Sequence, residues 1–162
     1  MKAATRTKYG PPGVLSIKTP DRIPQPKKDE ILVKVKATTV NRTDCGVLTG
    51  KPWAIRLFTG LIKPRLKVTG TDFSGLVVAK GDDVVEFNIG DDVYGFFDEG
   101  IGSHASYFCV STKRAVLKKP TNITYEQAAA SLEGAHYAFY FLEKELLKKD
   151  DKVLINGGTG AI

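Results

Sequence analysis

Three stretches of this sequence carry groups able to do chemistry. Near the C-terminal end, residues 152–156 (Lys-Val-Leu-Ile-Asn) read as a short strand that runs into Gly157-Gly158-Thr159-Gly160. Glycines at that spacing after a strand let a backbone approach a pyrophosphate, and a following helix presents its N-terminal N–H groups to it. Taken alone, the four residues are equally the mark of any glycine-rich loop. Upstream, Thr38-Thr39-Val40-Asn41-Arg42-Thr43-Asp44 is a polar run at the end of an apolar strand, where functional groups commonly sit. Gly70-Thr71-Asp72 opens the next β-rich stretch and bears on whether a metal is held. A catalytic Zn²⁺ needs about three ligands drawn from Cys, His and carboxylate. The only histidines, His104 and His136, lie far apart in the chain, so no metal site is expected.

The elements that must position these groups are mostly strands. Residues 70–97 organise the chain: an apolar run at 76–79, a turn at 80–83, apolar residues again at 84–87, a turn at 88–91 and a strand at 93–97. Gly75, Gly81, Gly90 and Gly95 read as places where a small closed sheet bends or takes φ > 0. Strands are also expected at 2–9, 14–18, 30–37, 105–110 and 115–118, the third alternating apolar and charged residues from Leu32 onward. Thr124-Tyr-Glu-Gln127 has capping-box spacing and predicts a short helix through Ala130. Gly134 is expected to interrupt it, and Ala135, Ala138, Phe139, Leu142 and Leu146 then recur at helical spacing. Residues 45–71 stand apart, with five cations, no acid and several large apolar side chains. They read either as a lid over a cleft or anion contact, with a short helix at 54–61, or as a long loop whose aromatics fill a satellite core.

At 162 residues the chain can bury one proper core, and its 42% hydrophobic and 26% charged content excludes a disordered polymer. No apolar run is long enough to span a membrane and no secretory leader is visible at the start, so the cytoplasm is the expected compartment. Cys45 and Cys109 read as free thiols, Cys109 packing as a small apolar group in a strand. A net charge of +6 permits anionic partners, but the cations are scattered and no nucleic-acid motif accompanies them.

Residues 9–15 (YGPPGVL), 40–44 (VNRTD), 70–84, 90–96 (GDDVYGF), 102–110 (GSHASYFCV) and 152–162 occur in the order and spacing of one family. Together they resemble the N-terminal half of the medium-chain dehydrogenase/reductases, in the zinc-independent, quinone-oxidoreductase-like branch, over essentially the whole chain. The resemblance implies a mainly β fold with α: a GroES-like β-barrel catalytic domain at 1–122, then, at 123–162, a linker helix and the first β-strand and Gly-rich turn of a truncated Rossmann domain. It implies hydride transfer from a nicotinamide, NADP(H) ahead of NAD(H), to a small quinone, enone or carbonyl compound. Asn41 stands where zinc-dependent relatives have a Cys, and Thr71-Asp72 where they have His-Glu, so no zinc is expected. Asn41 is then the donor to the substrate oxygen, Asp44 fixes its strand end, and Thr71 and Asp72 line the same cleft. The cofactor-binding set implied is Asn41, Tyr137 (in place of a nicotinamide-contacting Thr), Asn156, Gly157, Thr159 and Gly160.

The partners expected are a small molecule and a second copy of the chain, without nucleic acid or membrane. The chain alone is expected not to catalyse and to bind nicotinamide weakly. Its 152–156 strand, lacking Rossmann neighbours, is expected to be disordered or to pair with another copy. The rival reading is a GroES-like module that binds or assembles without catalysing.

Overall fold

The structure is a computed structural model that describes residues 1–98 and 100–156. In chain order its strands are β1 (Ala3–Thr5), β2 (Ser16–Lys18), β3 (Glu30–Ala37), β4 (Asp72–Lys80), β5 (Asp92–Phe96), β6 (Tyr107–Ser111) and β7 (Val116–Lys118). The helices are α1 (Arg42–Thr49), α2 (Ile55–Thr59) and α3 (Tyr125–Lys144), with one turn of 3₁₀ helix at Pro12–Val14.

Five strands form one antiparallel sheet in the order β6-β3-β4-β5-β7, and β1 pairs with β2 separately. The alternation in β3 sets its faces: Ile31 and Val33 turn into the core while Lys34 and Lys36 stay exposed. Phe73 and Val77 from β4, Val93 from β5, Phe108 and Val110 from β6 and Val116 from β7 complete that face. Phe73 meets Phe108 edge-on with ring centroids 4.8 Å apart, the geometry in which aromatic quadrupoles attract.

The GroES-like architecture is present, but the expected barrel does not close. Among the described residues β6 and β7 are the two edges of an open sheet. The β1–β2 pair joins no strand of this sheet; Ala3 and Thr5 make single bridges to Ala105 and Val68, in the segments that lead into β6 and β4. The expected strand at 84–87 is irregular too, although Val84 and Phe87 plug the core. Lys80 Nζ, 3.0 Å from the carbonyls of both residues, donates to acceptors a partner strand would otherwise take.

α3 starts where the capping box predicts, with Gln127 N–H donating to Thr124 Oγ1 at 3.2 Å and Thr124 N–H to Gln127 Oε1 at 3.0 Å. It then runs unbroken through Gly134, because one helical glycine costs only about 1 kcal/mol against alanine. Its first turns are pinned to the sheet: Ser74 Oγ donates to the Tyr125 carbonyl at 2.6 Å, and Ala128 and Ala129 are buried. Its later apolar residues, Phe139 and Leu142 among them, are exposed. The helix ends at Lys144, so Leu146, expected on the same face, lies beyond it with φ of 47°. Residues 152–155 are not a strand but exposed chain without regular structure. The strand expected there is therefore not formed among the described residues. Among the described residues no helix is long and apolar enough to cross a membrane.

Candidate functional site

Between β3 and β4 the chain makes the turn that builds the site. Asn41 caps α1: its Oδ1 accepts the Asp44 N–H at 2.8 Å, and Asp44 Oδ2 accepts the Asn41 N–H at 3.1 Å. This reciprocal box is why an eight-residue segment containing two threonines, a glycine and an aspartate is helical at all. Asp44 closes the first turn of a helix where the sequence reads as a polar run followed by the start of the 45–71 segment.

With its carbonyl used in the cap, Asn41 turns its amide nitrogen inward. Nδ2 lies 2.6 Å from Asp72 Oδ2, 2.7 Å from Glu133 Oε2, 3.1 Å from Thr71 Oγ1 and 3.3 Å from Thr39 Oγ1. It has two hydrogens, and the two shortest contacts are the carboxylates. Asp72 Oδ2 also accepts from Thr39 Oγ1 at 2.9 Å and Thr71 Oγ1 at 3.0 Å. Glu133 Oε1 accepts from the Thr43 hydroxyl. Behind Asp44, His104 Nε2 donates to the Thr39 carbonyl at 2.7 Å, which fixes the ring proton there, and lies 3.8 Å from Asp44 Oδ2.

The structure thus gathers Asn41, Asp44, Thr71 and Asp72, but Thr71 and Asp72 do not line a cleft. They are 0% and 1% exposed, and reach the open space only through Asn41. Of the four, Asn41 alone borders the cleft of about 950 Å³, alongside Val40, Thr43, Ile55, Phe58 and Tyr137. Tyr137 Oη donates to Asp98 Oδ1 at 2.9 Å, and burial together with that carboxylate pushes its hydroxyl up to about 12. Asn156 is exposed in a turn without a bond to the cluster, and Gly157, Thr159 and Gly160 lie outside the described residues. Segment 45–71 supplies one wall of the cleft. Trp53, Leu57, Phe58, Leu61 and Ile62 are all more than half exposed, so they fill no satellite core.

Thr39 and Thr43 lie in the marked polar run without a role of their own, and Glu133 carried no mark in the sequence. The available signal for Glu133 was an acid four residues after Ala129 on the buried side of α3, which periodicity alone reads as surface. Asp44, Asp72 and Glu133 all hold their protons above the ordinary carboxylate range. Burial is the main cause for each, and repulsion between the acids adds to it for Asp72 and Glu133. Asp44 Oδ1 and Asp72 Oδ1 are buried without a donor, which adds to the cost of the charged form.

A carboxyl whose folded pKa is raised adds stability below its unfolded value and loses it as pH rises through the folded one. Unfolding is therefore expected to become easier as pH climbs from about 4 through the raised values, and Glu133→Gln should flatten that slope. Thermal unfolding across pH 4 to about 8 checks it; equal slopes in both proteins would contradict this account. Asp29, Asp91 and Glu126 shift downward, but they are surface groups screened by solvent and contribute little.

The cysteines separate by the same physics. Cys45 is exposed at the cleft, whereas burial and Glu30 push the Cys109 thiol up to about 11. Because the thiolate is the nucleophile, iodoacetamide is expected to modify Cys45 first and Cys109 only after unfolding. Peptide mapping showing equal rates would contradict this.

Residues 27–121 match the family described as the alcohol dehydrogenase GroES-like domain, well over half of the chain. The chain belongs to this family of the medium-chain dehydrogenase/reductases. Within the family it is 32% identical to the 2-methylene-furan-3-one reductase of Solanum lycopersicum, over 100% of this chain and 42% of that protein. The quinone oxidoreductase of Coxiella burnetii superposes with a TM-score of 0.80 at 31% identity, covering 93% of this chain and 47% of its own. The Escherichia coli quinone oxidoreductase complexed with NADPH gives 0.76 at 26%, covering 93% and 43%. The chain spans about half the length of the curated relatives it matches.

Proposed function

We propose that this chain forms the substrate-side part of an NAD(P)H-dependent reductase acting on a quinone, enone or related carbonyl compound, with NADP(H) favoured. Residues 1–122 are its GroES-like part, and 123–162 begin its nucleotide-binding part. The observation that carries the reading is the floor of the cleft, where the Asn41 amide bridges two buried acids below apolar walls. The similar proteins, a 2-methylene-furan-3-one reductase and two quinone oxidoreductases, one of them complexed with NADPH, support it.

The residues present fit the nicotinamide end of the cofactor. An uncharged ring needs apolar walls and a few hydroxyl or amide partners, and Val40, Ile55, Phe58, Thr43, Asn41 and Tyr137 supply them. Asn156, Gly157, Thr159 and Gly160 are assigned to the pyrophosphate. Bound nicotinamide supplies a hydride; the protein supplies orientation and electrostatics. Asn41 is assigned to the substrate oxygen, which must draw one N–H away from Asp72 or Glu133. Asp44, Thr71 and Asp72 act through Asn41 by holding it in place. The Thr43 hydroxyl, which borders the cleft and is bonded to Glu133, is assigned as donor to a newly reduced oxygen, with Glu133 as the acid beside it.

Zinc does not fit this donor set. An amide and a hydroxyl occupy two of the positions, and Asp72 Oδ2 already accepts three hydrogen bonds. The test is a screen of NADPH and NADH oxidation by the whole gene product over quinones, enones and aldehydes. Turnover of a quinone or enone with NADPH is expected. Failure with every acceptor would sink the reading in favour of a non-catalytic module.

A further inference from the structure

On the far side of the 45–71 segment lies a second hollow of about 440 Å³, floored by a side chain the reductase reading does not use. Arg6, just after β1, is 2% exposed. Its Nη1 donates to the Val47 carbonyl, and its guanidinium carbon lies 5.2 Å from the centre of the Tyr9 ring. Its Nε is buried with no partner. Among the described residues no carboxylate stands within ion-pair distance of it. Burial lowers its pKa, yet an arginine keeps its proton in a protein. A desolvated charge without a counter-charge is among the costliest arrangements a fold can hold.

The rest of the hollow has the same sign. Lys27, Arg65 and Arg114 line it, and none of the arginines is ion-paired among the described residues. Glu30 is the acid in the lining, and it is already engaged by Lys27, whose N–H lies 3.0 Å and Nζ 3.8 Å from its carboxylate oxygens. We propose that this hollow binds an oxyanion, a phosphate or carboxylate group on a small molecule, with Arg6 as the buried anchor and Arg65 and Arg114 closing on it. The space exceeds a bare phosphate, so the group arrives on an organic body. Phe58 and Thr59 border both this hollow and the cleft, so an occupant here braces the wall of the cleft. None of the residues assigned to the cofactor or substrate under the reductase reading lines this hollow apart from the shared wall at Phe58, and its failure would leave that reading standing.

Thermal unfolding of the chain in inorganic phosphate, acetate and chloride at equal ionic strength tests it. Phosphate is expected to raise Tm saturably and chloride is not; an equal response to acetate shows that a carboxylate suffices, and none that the ligand is phosphorylated. Arg65→Gln, at an exposed position, should weaken the response about tenfold without moving Tm in chloride. Arg6→Met should abolish the response and raise Tm in chloride, because it removes a buried charge that lacks a partner. Identical behaviour in all three salts, or a full phosphate response in Arg65→Gln, overturns the proposal. The Arg65→Gln titration decides it even if Arg6→Met does not fold.

Discussion

Replacing Asn41 by leucine is expected to lower the free energy of unfolding at pH 7 by about 3–5 kcal/mol, the range for removing one partner of a buried charged group. Leucine keeps the shape of asparagine but cannot donate. Asp72 Oδ2 would be left with two hydroxyl donors, and Glu133 Oε2 with none. α1 would also lose its cap, worth about 1 kcal/mol. Because the damage falls on carboxylates, it is expected to shrink at acid pH, where the raised acids are neutral and need less solvation. Urea unfolding of both proteins at neutral and acid pH measures this. A loss below about 1 kcal/mol at both would show that the amide does not hold the acids together.

Gly81→Ala is expected to be nearly as damaging, at about 3 kcal/mol, the upper end for forcing atoms into a filled space. A Cβ there would sit 2.0 Å from the Lys27 carbonyl oxygen and 2.3 Å from that of Lys28. Both are backbone atoms of the loop leading into β3, so neither can swing aside. Gly90→Ala makes the control. Gly90 has φ of 96° and nothing within 4 Å of an added Cβ, so its cost is conformational strain of about 1–2 kcal/mol. Denaturant midpoints for the two variants check the order, and a Gly81→Ala protein as stable as wild type would mean the loop moves away.

That pair also shows where a sequence reading stops. Gly75, Gly81, Gly90 and Gly95 look alike in the chain, as bends or left-handed positions. Only Gly90 has positive φ; at Gly75, Gly81 and Gly95 the constraint is another piece of backbone within 2.4 Å of where a Cβ would stand. Neighbouring residues report a local turn, but they do not report what packs over it.

The strands at 30–37 and 116–118 and the start of α3 were written in the sequence, because each rests on local physics: alternation that gives a strand its faces, and a cap that closes on residues three positions away. The family resemblance came from the same source, ordered short motifs each readable alone. The cap at Asn41-x-x-Asp44 was equally local, but it lies in a polar run whose residues favour turns as much as helices. Only the tertiary structure decided what that cap does next. Asn41 and Glu133 are 92 residues apart, and their bond exists because α3 lies across β4 and β5. The same packing buried Thr71 and Asp72 behind Asn41 and, among the described residues, left Arg6 without an anion. Burial and cross-element contact set the charge state of these groups, and neither belongs to a residue until the chain has folded around it.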